Sequence, residues 1–293
     1  MLPTVRGAAL SGARRALGGR RGSLATRGLA TGGAESGSST HFGFKQVAVE
    51  DKEALVGRVF SSVAEQYDVM NDLMSGTLHR AWKDQFVDTL LPLAAHGQRA
   101  QCLDLAGGTG DIAFRIVERS RQRYPSEPAP EVVVADINQS MLDVGKQRAK
   151  RYGLAGDLSF VQQNAERLEA FADNSFDSYT IAFGIRNVTH IDRALAEAHR
   201  VLKPGGRFMC LEFSHLANPV LQQLYDSYSF NVIPAMGAAV AGDRESYQYL
   251  VESIRKFPRQ REFERMIRQA GFHAVRHDDY TFGIVAVHSG FKL

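Results

Sequence analysis

Only two cysteines occur in the 293 residues, Cys102 and Cys210, and 108 positions separate them. That scarcity excludes a disulfide scaffold and a cysteine zinc ribbon; no metal is expected. Both lie in apolar runs and read as buried thiols. No stretch approaches the ~18 consecutive apolar residues of a membrane helix. Residues 1–34 lack lysine and carboxylate altogether, yet hold six arginines: Arg6, Arg14, Arg15, Arg20, Arg21 and Arg27. Setting those six aside from the 35 basic residues leaves 29 against 32 acids, a balance near −3. The net charge of +3 therefore belongs to the leader, and no nucleic-acid partner is expected. An arginine-rich, serine-bearing, acid-free start is the pattern of a mitochondrial presequence, here residues 1–34. Glycines and arginines break up any secretory apolar core.

What is present has a rhythm. Leu55, Val59, Phe60, Val63, Tyr67 and Met70 recur at spacings of three and four, so Lys45 to His79 reads as helical. From residue 100, short apolar strands alternate with amphipathic helices. Strands are expected near 101–105, 132–135, 158–161, 178–183 and 207–213. Helices are expected near 111–123, 139–151 and 192–201, with the last strand entered through the turn Lys203–Gly206. This alternation predicts βαβ units and a parallel sheet. The segment 221–251 departs from it, rich in tyrosine and interrupted by Pro234 and Gly237; it reads as an extra helical layer, as an apolar groove beside the pocket, or both, and is a candidate for a mobile lid. A helix over 260–270 and two closing strands, 274–280 and 284–289, predict a terminal antiparallel hairpin.

The chemistry is expected at the turn Leu103-Asp-Leu-Ala-Gly-Gly-Thr-Gly-Asp111. It joins the first strand to the first helix, where an open α/β sheet binds nucleotides. Glycines admit a ligand close to the backbone, and the helix start offers free N–H groups. Asp136 ends the next strand, placed to accept ribose hydroxyls. Asp104 and Asp111 flank the turn with negative charge, which suits an ammonium better than a diphosphate. S-adenosylmethionine is therefore favoured over NAD. Arg186 and Asn187 follow the fourth strand at the same sheet edge, where loops line the pocket. His79 has the chemistry of a general base, with a structural role near a helix end as the plainer reading.

These residues together resemble the ubiquinone/menaquinone C-methyltransferase family. The resemblance rests on Asp104–Asp111, Asp136-Ile137-Asn138, Phe183–Thr189, Leu202–Gly206, Tyr67–Asp72 and His79–Lys83, and it spans about residues 41–293. It implies a class I, Rossmann-like methyltransferase fold with a seven-stranded, mostly parallel sheet and an antiparallel last strand. The domain would cover 41–293, with a helical cap at 45–85 and a helical, apolar insertion at 219–257. Cofactor contacts are implied at Gly108, Thr109, Gly110, Asp136, Asn164 and Ala165, although many relatives carry aspartate where Asn164 stands. Arg186 and Asn187, helped by Tyr67, are the expected catalytic residues. The implied substrate is a polyprenyl benzoquinol. Implied partners are other proteins of a ubiquinone-synthesis complex, with peripheral contact at the matrix face of the inner membrane. A non-catalytic quinone- or partner-binding role, or methylation of another small aromatic, remain the alternatives.

Overall fold

The computed structural model describes residues 39–63, 71–72, 74–91, 93 and 97–293. The expected leader and Tyr67 lie outside them. Seven strands form one sheet: β3 (Gln101–Leu105), β4 (Glu131–Asp136), β5 (Leu158–Gln162), β6 (Phe176–Ala182), β7 (Leu202–Phe213), β8 (His273–Tyr280) and β9 (Val285–Phe291). Their spatial order is β5-β4-β3-β6-β7-β9-β8. The first five pair in parallel, and β9 inserts antiparallel between β7 and β8. The fold class expected from the sequence is therefore present, closing hairpin included.

Alternation along each strand divides the core between two faces. In β7, Phe208 and Cys210 point to one side while Met209 and Leu211 point to the other. The first side is covered by α5 (Ile191–Val201) and α8 (Gln260–Gln269), through Leu195, Ala198, Phe263 and Ile267. The second is covered by α2 (Leu78–Leu90), α3 (Asp111–Arg123) and α4 (Gln139–Arg151). Ile112, Ala113, Ile116 and Val117 make the buried stripe of α3 at the spacing a helix requires. Cys102 and Cys210 are both free and buried. No helix among the described residues is long and apolar enough to cross a membrane.

Two expectations need correction. Lys45–Ala48 is not helical but is β2, paired antiparallel with β1 (Ser39–Phe42), and helix α1 (Val49–Val63) follows. The hairpin is fixed from outside: Phe42 stacks on Tyr249 at 3.9 Å, and the Phe44 amide donates to Glu252 at 2.9 Å. Contacts over two hundred residues away leave no local pattern. The turn at Lys203–Gly206 also belongs to the sheet, because the Gly205 amide donates to the Lys292 carbonyl at 2.7 Å. Beyond β7, α6 (Pro219–Asn231) and α7 (Arg244–Lys256) are joined by a short turn at Ile233–Met236 and a wider one at Gly237–Ala241. Both long helices start on capped residues, Asn218 and Asp243.

Gly145 of α4 allows that helix to press on the glycine turn. A Cβ there would sit 2.5 Å from the Phe160 ring and 3.2 Å from the Thr109 backbone. Gly145→Ala gains roughly 1 kcal/mol of helix propensity, but overpacking of this kind costs about 1–3 kcal/mol. A net loss of stability in denaturant unfolding is the expected outcome, and a stabilised variant would show that the contact is soft.

Candidate functional site

One pocket opens beyond the carboxyl ends of β3, β4, β5 and β6, built around the glycine turn. Gly107 is required there by space, since a Cβ would lie 2.7 Å from Val134 and 2.9 Å from Asp104 Oδ2. Gly108 has a φ of +53° and donates its amide to Asp136 Oδ2 at 2.9 Å. The other carboxyl oxygen of Asp136 accepts from the Asn138 amide at 2.8 Å. Burial raises its pKa, opposed by those backbone donors. Asp136 is thus fixed in place with lone pairs left for a ligand's hydroxyls.

The two aspartates flanking the turn differ sharply. Asp104 is buried; its Oδ1 accepts from the Thr180 hydroxyl at 2.8 Å, and its Oδ2 has no partner. Burial pushes its pKa up to about 7. Asp111 instead receives Lys83 Nζ at 2.7 Å and Arg115 Nε at 3.1 Å. Burial would raise its pKa, but the two cations more than offset that, and its pKa is lowered. Its charge is taken by protein partners, so the ammonium site expected of both carboxylates falls to Asp104 alone. Lys83, also on the pocket wall, is matched to Asp111 but has ammonium protons beyond the one given to that carboxylate. A buried acid with one unpartnered oxygen, an ammonium group on Lys83 and a glycine cradle fit the amino-acid end of S-adenosylmethionine, and Asp136 fits its ribose.

The remaining expected contacts are placed as follows. Thr109 is on the wall, its hydroxyl accepting from Arg148 at 3.2 Å. Asn164 and Ala165 are on the wall too. Asn164 donates to Glu53 at 3.1 Å and accepts from the Glu166 amide at 2.9 Å, leaving one carbonyl lone pair for an adenine. Gly110 stands behind the wall and starts α3 with a φ of +88°.

A second cavity of about 410 Å³ lies against α2, α6 and α7. Phe183 and Lys83 line both spaces, so the two meet at those side chains. Arg186 lines the second cavity and Asn187 the first. Arg186 is buried, donating from Nη1 to Glu212 at 2.8 Å and to the Phe183 carbonyl at 2.5 Å, while its Nε has no partner. Burial raises the Glu212 pKa against the opposing pull of Arg186. Asn187 accepts the Tyr249 hydroxyl at 2.8 Å, which leaves its amide nitrogen to donate. Glu212 and Tyr249 were not anticipated: the first ends an apolar strand, and the second sits in the tyrosine-rich segment without a distinguishing motif. Lys83 stood inside the His79–Lys83 run, but its pairing with Asp111 has no sequence signal. His79 is on the wall of the second cavity.

Comparison with known proteins follows the same geometry. The model of the "ubiE/COQ5 methyltransferase family" matches residues 46–292. The chain is 55% identical to a Drosophila melanogaster protein named 2-methoxy-6-polyprenyl-1,4-benzoquinol methylase, mitochondrial, with 92% of this chain and 91% of that one covered. It is 56% identical to the ubiquinone/menaquinone biosynthesis C-methyltransferase UbiE of Brucella abortus, covering 89% and 94%. Among solved structures, a SAM-dependent methyltransferase from Thermotoga maritima matches with a TM-score of 0.53 at 20% identity, over 80% of this chain and 99% of that one. That last likeness speaks to the fold alone.

Two outcomes are expected of the pocket. Asp136→Ala should weaken S-adenosylmethionine binding by about 1.5–3 kcal/mol, the range for hydrogen bonds to a charged group. An unchanged dissociation constant in a folded variant would remove its ribose role. Asp104 should make binding pH-dependent, since an ammonium needs the ionised carboxyl. With its pKa near 7, affinity should rise as pH rises through about 7. Calorimetric titration across that window should show the rise in the parent and lose it in Asp104→Asn.

Proposed function

Because the chain belongs to the ubiE/COQ5 methyltransferase family, we propose that it methylates a ring carbon of 2-methoxy-6-polyprenyl-1,4-benzoquinol on the way to ubiquinone. It is an S-adenosylmethionine-dependent methyltransferase; the cofactor supplies an electrophilic methyl group. The observation that carries the substrate reading is the meeting of the two cavities at Phe183 and Lys83. An aromatic ring in the second cavity would lie next to the methyl donor's pocket, and holding two reactants in register supplies a large share of catalysis. Trp82, Phe213 and Tyr225 give that cavity the aromatic walls such a ring needs. Alongside it, α6 leaves Val220 and Leu224 exposed, a surface suited to an isoprenoid tail longer than the cavity.

Carbon methylation requires an electron-rich ring, so the site must stabilise a quinol oxyanion. The unpartnered Nε of Arg186 and the free amide nitrogen of Asn187 are the donors assigned to that oxygen. The resemblance assigns Tyr67 a helping role; it lies outside the described residues. Arginine stays protonated and acts here through N–H geometry, not as a base.

The protein is mitochondrial, in keeping with its Drosophila relative and with the acid-free, arginine-rich residues 1–34. We place it at the matrix face of the inner membrane, beside other enzymes of ubiquinone synthesis. The decisive assay supplies labelled S-adenosylmethionine and a short-tailed demethyl benzoquinol to the purified chain. Label should appear on the quinol ring; its absence with a folded, cofactor-binding protein would end this reading. Arg186→Lys keeps a cation beside Glu212 but loses the planar fork. Turnover should fall about a hundred- to thousandfold, the effect of removing an oxyanion donor. Cofactor affinity should hold within about threefold, whereas turnover close to the parent's would show that Arg186 only supports the wall.

A further inference from the structure

We propose that His79 is the general base that takes the proton from the quinol hydroxyl, with Asp72 holding its ring in the working tautomer. The inference rests on the benzoquinol reading above and adds to it the group that accepts the proton.

His79 opens α2 on the wall of the substrate cavity and is 6% exposed. Its Nε2 lies 2.8 Å from Asp72 Oδ1, and its Nδ1 has no partner. Asp72 also accepts from Arg80 Nε at 2.7 Å. Hydrogen bonds from Arg80, then from His79, hold its carboxyl well below the usual range, so Asp72 stays ionised and can only accept. The proton of a neutral His79 must therefore sit on Nε2. The lone pair is on Nδ1, the one nitrogen the protein leaves without a partner.

The surroundings favour the neutral ring. Burial lowers the His79 pKa first and Lys83 lowers it further, while Asp72 and Asp111 oppose them. Arg186, across the cavity, is matched by Glu212. A neutral imidazole at pH 7 is the state a base needs. The pair is also held in place locally. The Thr77 amide returns to the Asp72 carbonyl at 2.8 Å, and the Ser75 hydroxyl anchors to the Asn71 carbonyl at 2.6 Å. Lys83, at the junction of the two cavities, stands four residues on along the same helix face. That separation is on the order of 6 Å along the axis.

The step balances as follows. The quinol O–H bond breaks, its proton goes to Nδ1 and its electron pair enters the ring. The ring carbon uses that density to bond the methyl group, and the broken carbon–sulfur pair stays on sulfur. The same carbon then loses its hydrogen to water as a proton, which restores the aromatic ring. His79 returns its own proton to the oxygen, leaving one proton released per turnover.

The full chain is tested in two ways. In cofactor-free protein with nitrogen-15-labelled histidine, NMR should show His79 protonated on Nε2 and titrating below 6.5; an Nδ1–H tautomer would overturn the proposal. In turnover with the short-tailed benzoquinol, the parent should show an acid limb below 6.5. His79→Gln should lose at least about a hundredfold in kcat, with that limb flattened and cofactor affinity unchanged. Retained turnover, or an acid limb that persists, would overturn the assignment. Asp72→Asn should move the limb to lower pH, because it removes the charge that favours imidazolium. It decides the matter should His79→Gln fail to unfold cooperatively, and an unmoved limb there counts against the pair. A parent that methylates no benzoquinol would instead defeat the substrate reading, a separate result from an active parent indifferent to His79.

Discussion

The buried pair of Arg186 and Glu212 fixes the wall on which both cavities depend. Their side chains are 4% and 1% exposed, and Arg186 Nη1 donates to both the Glu212 carboxylate and the Phe183 carbonyl. Glu212 in turn accepts the backbone amides of Phe213 at 2.9 Å and Arg186 at 3.4 Å. The exits of β6 and β7 are thereby tied into one unit, with Phe183 held at a φ of +55° between the cavities. Stripping one partner from such a pair leaves an uncompensated charge in a dry site, which costs about 3–5 kcal/mol. The cost works as a constraint on geometry: an arrangement of the Phe183–Asn187 turn that separates the buried pair carries that penalty. Because the pair is matched, the cavity receives oriented N–H groups and little net charge.

The same wall is braced from the far side. Tyr249 of α7 donates to Asn187 and stacks on Phe42 of the β1–β2 hairpin. Lys52 of α1, itself buried, donates to the Val188 carbonyl at 3.1 Å. Two segments outside the seven-stranded sheet, α7 and α1, thus reach this turn, and the β1–β2 hairpin backs the tyrosine of the first. A loop held by packed elements keeps its polar groups in place before a ligand arrives, which is the preorganisation the proposed oxyanion role requires.

How much of this was legible in the sequence depends on the range of the contact. Strands such as β4 and β7 declare themselves, since every residue of Val132–Ala135 has a face to fill. The caps Asn138, Asn218 and Asp243, each at the start of the helix that follows it, emerge from the structure and were not read in the sequence. Asp136 and the glycine turn follow from strand-end position alone. The β1–β2 hairpin did not, because its four-residue strands have no alternation to read and exist through Phe42 and Phe44. Asp111 was read as a ligand group from its place beside the turn. Its neutralisation by Lys83, 28 residues earlier, is a tertiary event. Glu212 ends a run of apolar residues and carries no mark of its partner. Tyr67 falls outside the described residues, so its place in the site rests on the resemblance.

The distribution of charge between the two cavities argues for a direction of reaction. Around the cofactor pocket stand Asp104, Asp136, Glu53 and Glu166, while Lys83 and Asp111 offset each other. The wall is therefore acidic in sum, a field that favours a cationic occupant in a setting where screening is weak. Methyl transfer turns a sulfonium into a neutral thioether, so the carboxylates that favour the reactant hold the product less strongly. The substrate cavity has the opposite need: an anion must form there, briefly, in an aromatic enclosure. Its charged groups are arranged accordingly, with Arg186 matched to Glu212 and the Asp72–His79 pair able to take up a proton and give it back. A site that carried a free cation in that cavity would bind the anion tightly before and after reaction, lowering both states together. Matched pairs avoid this. They leave directional donors to act on the oxygen when its charge develops.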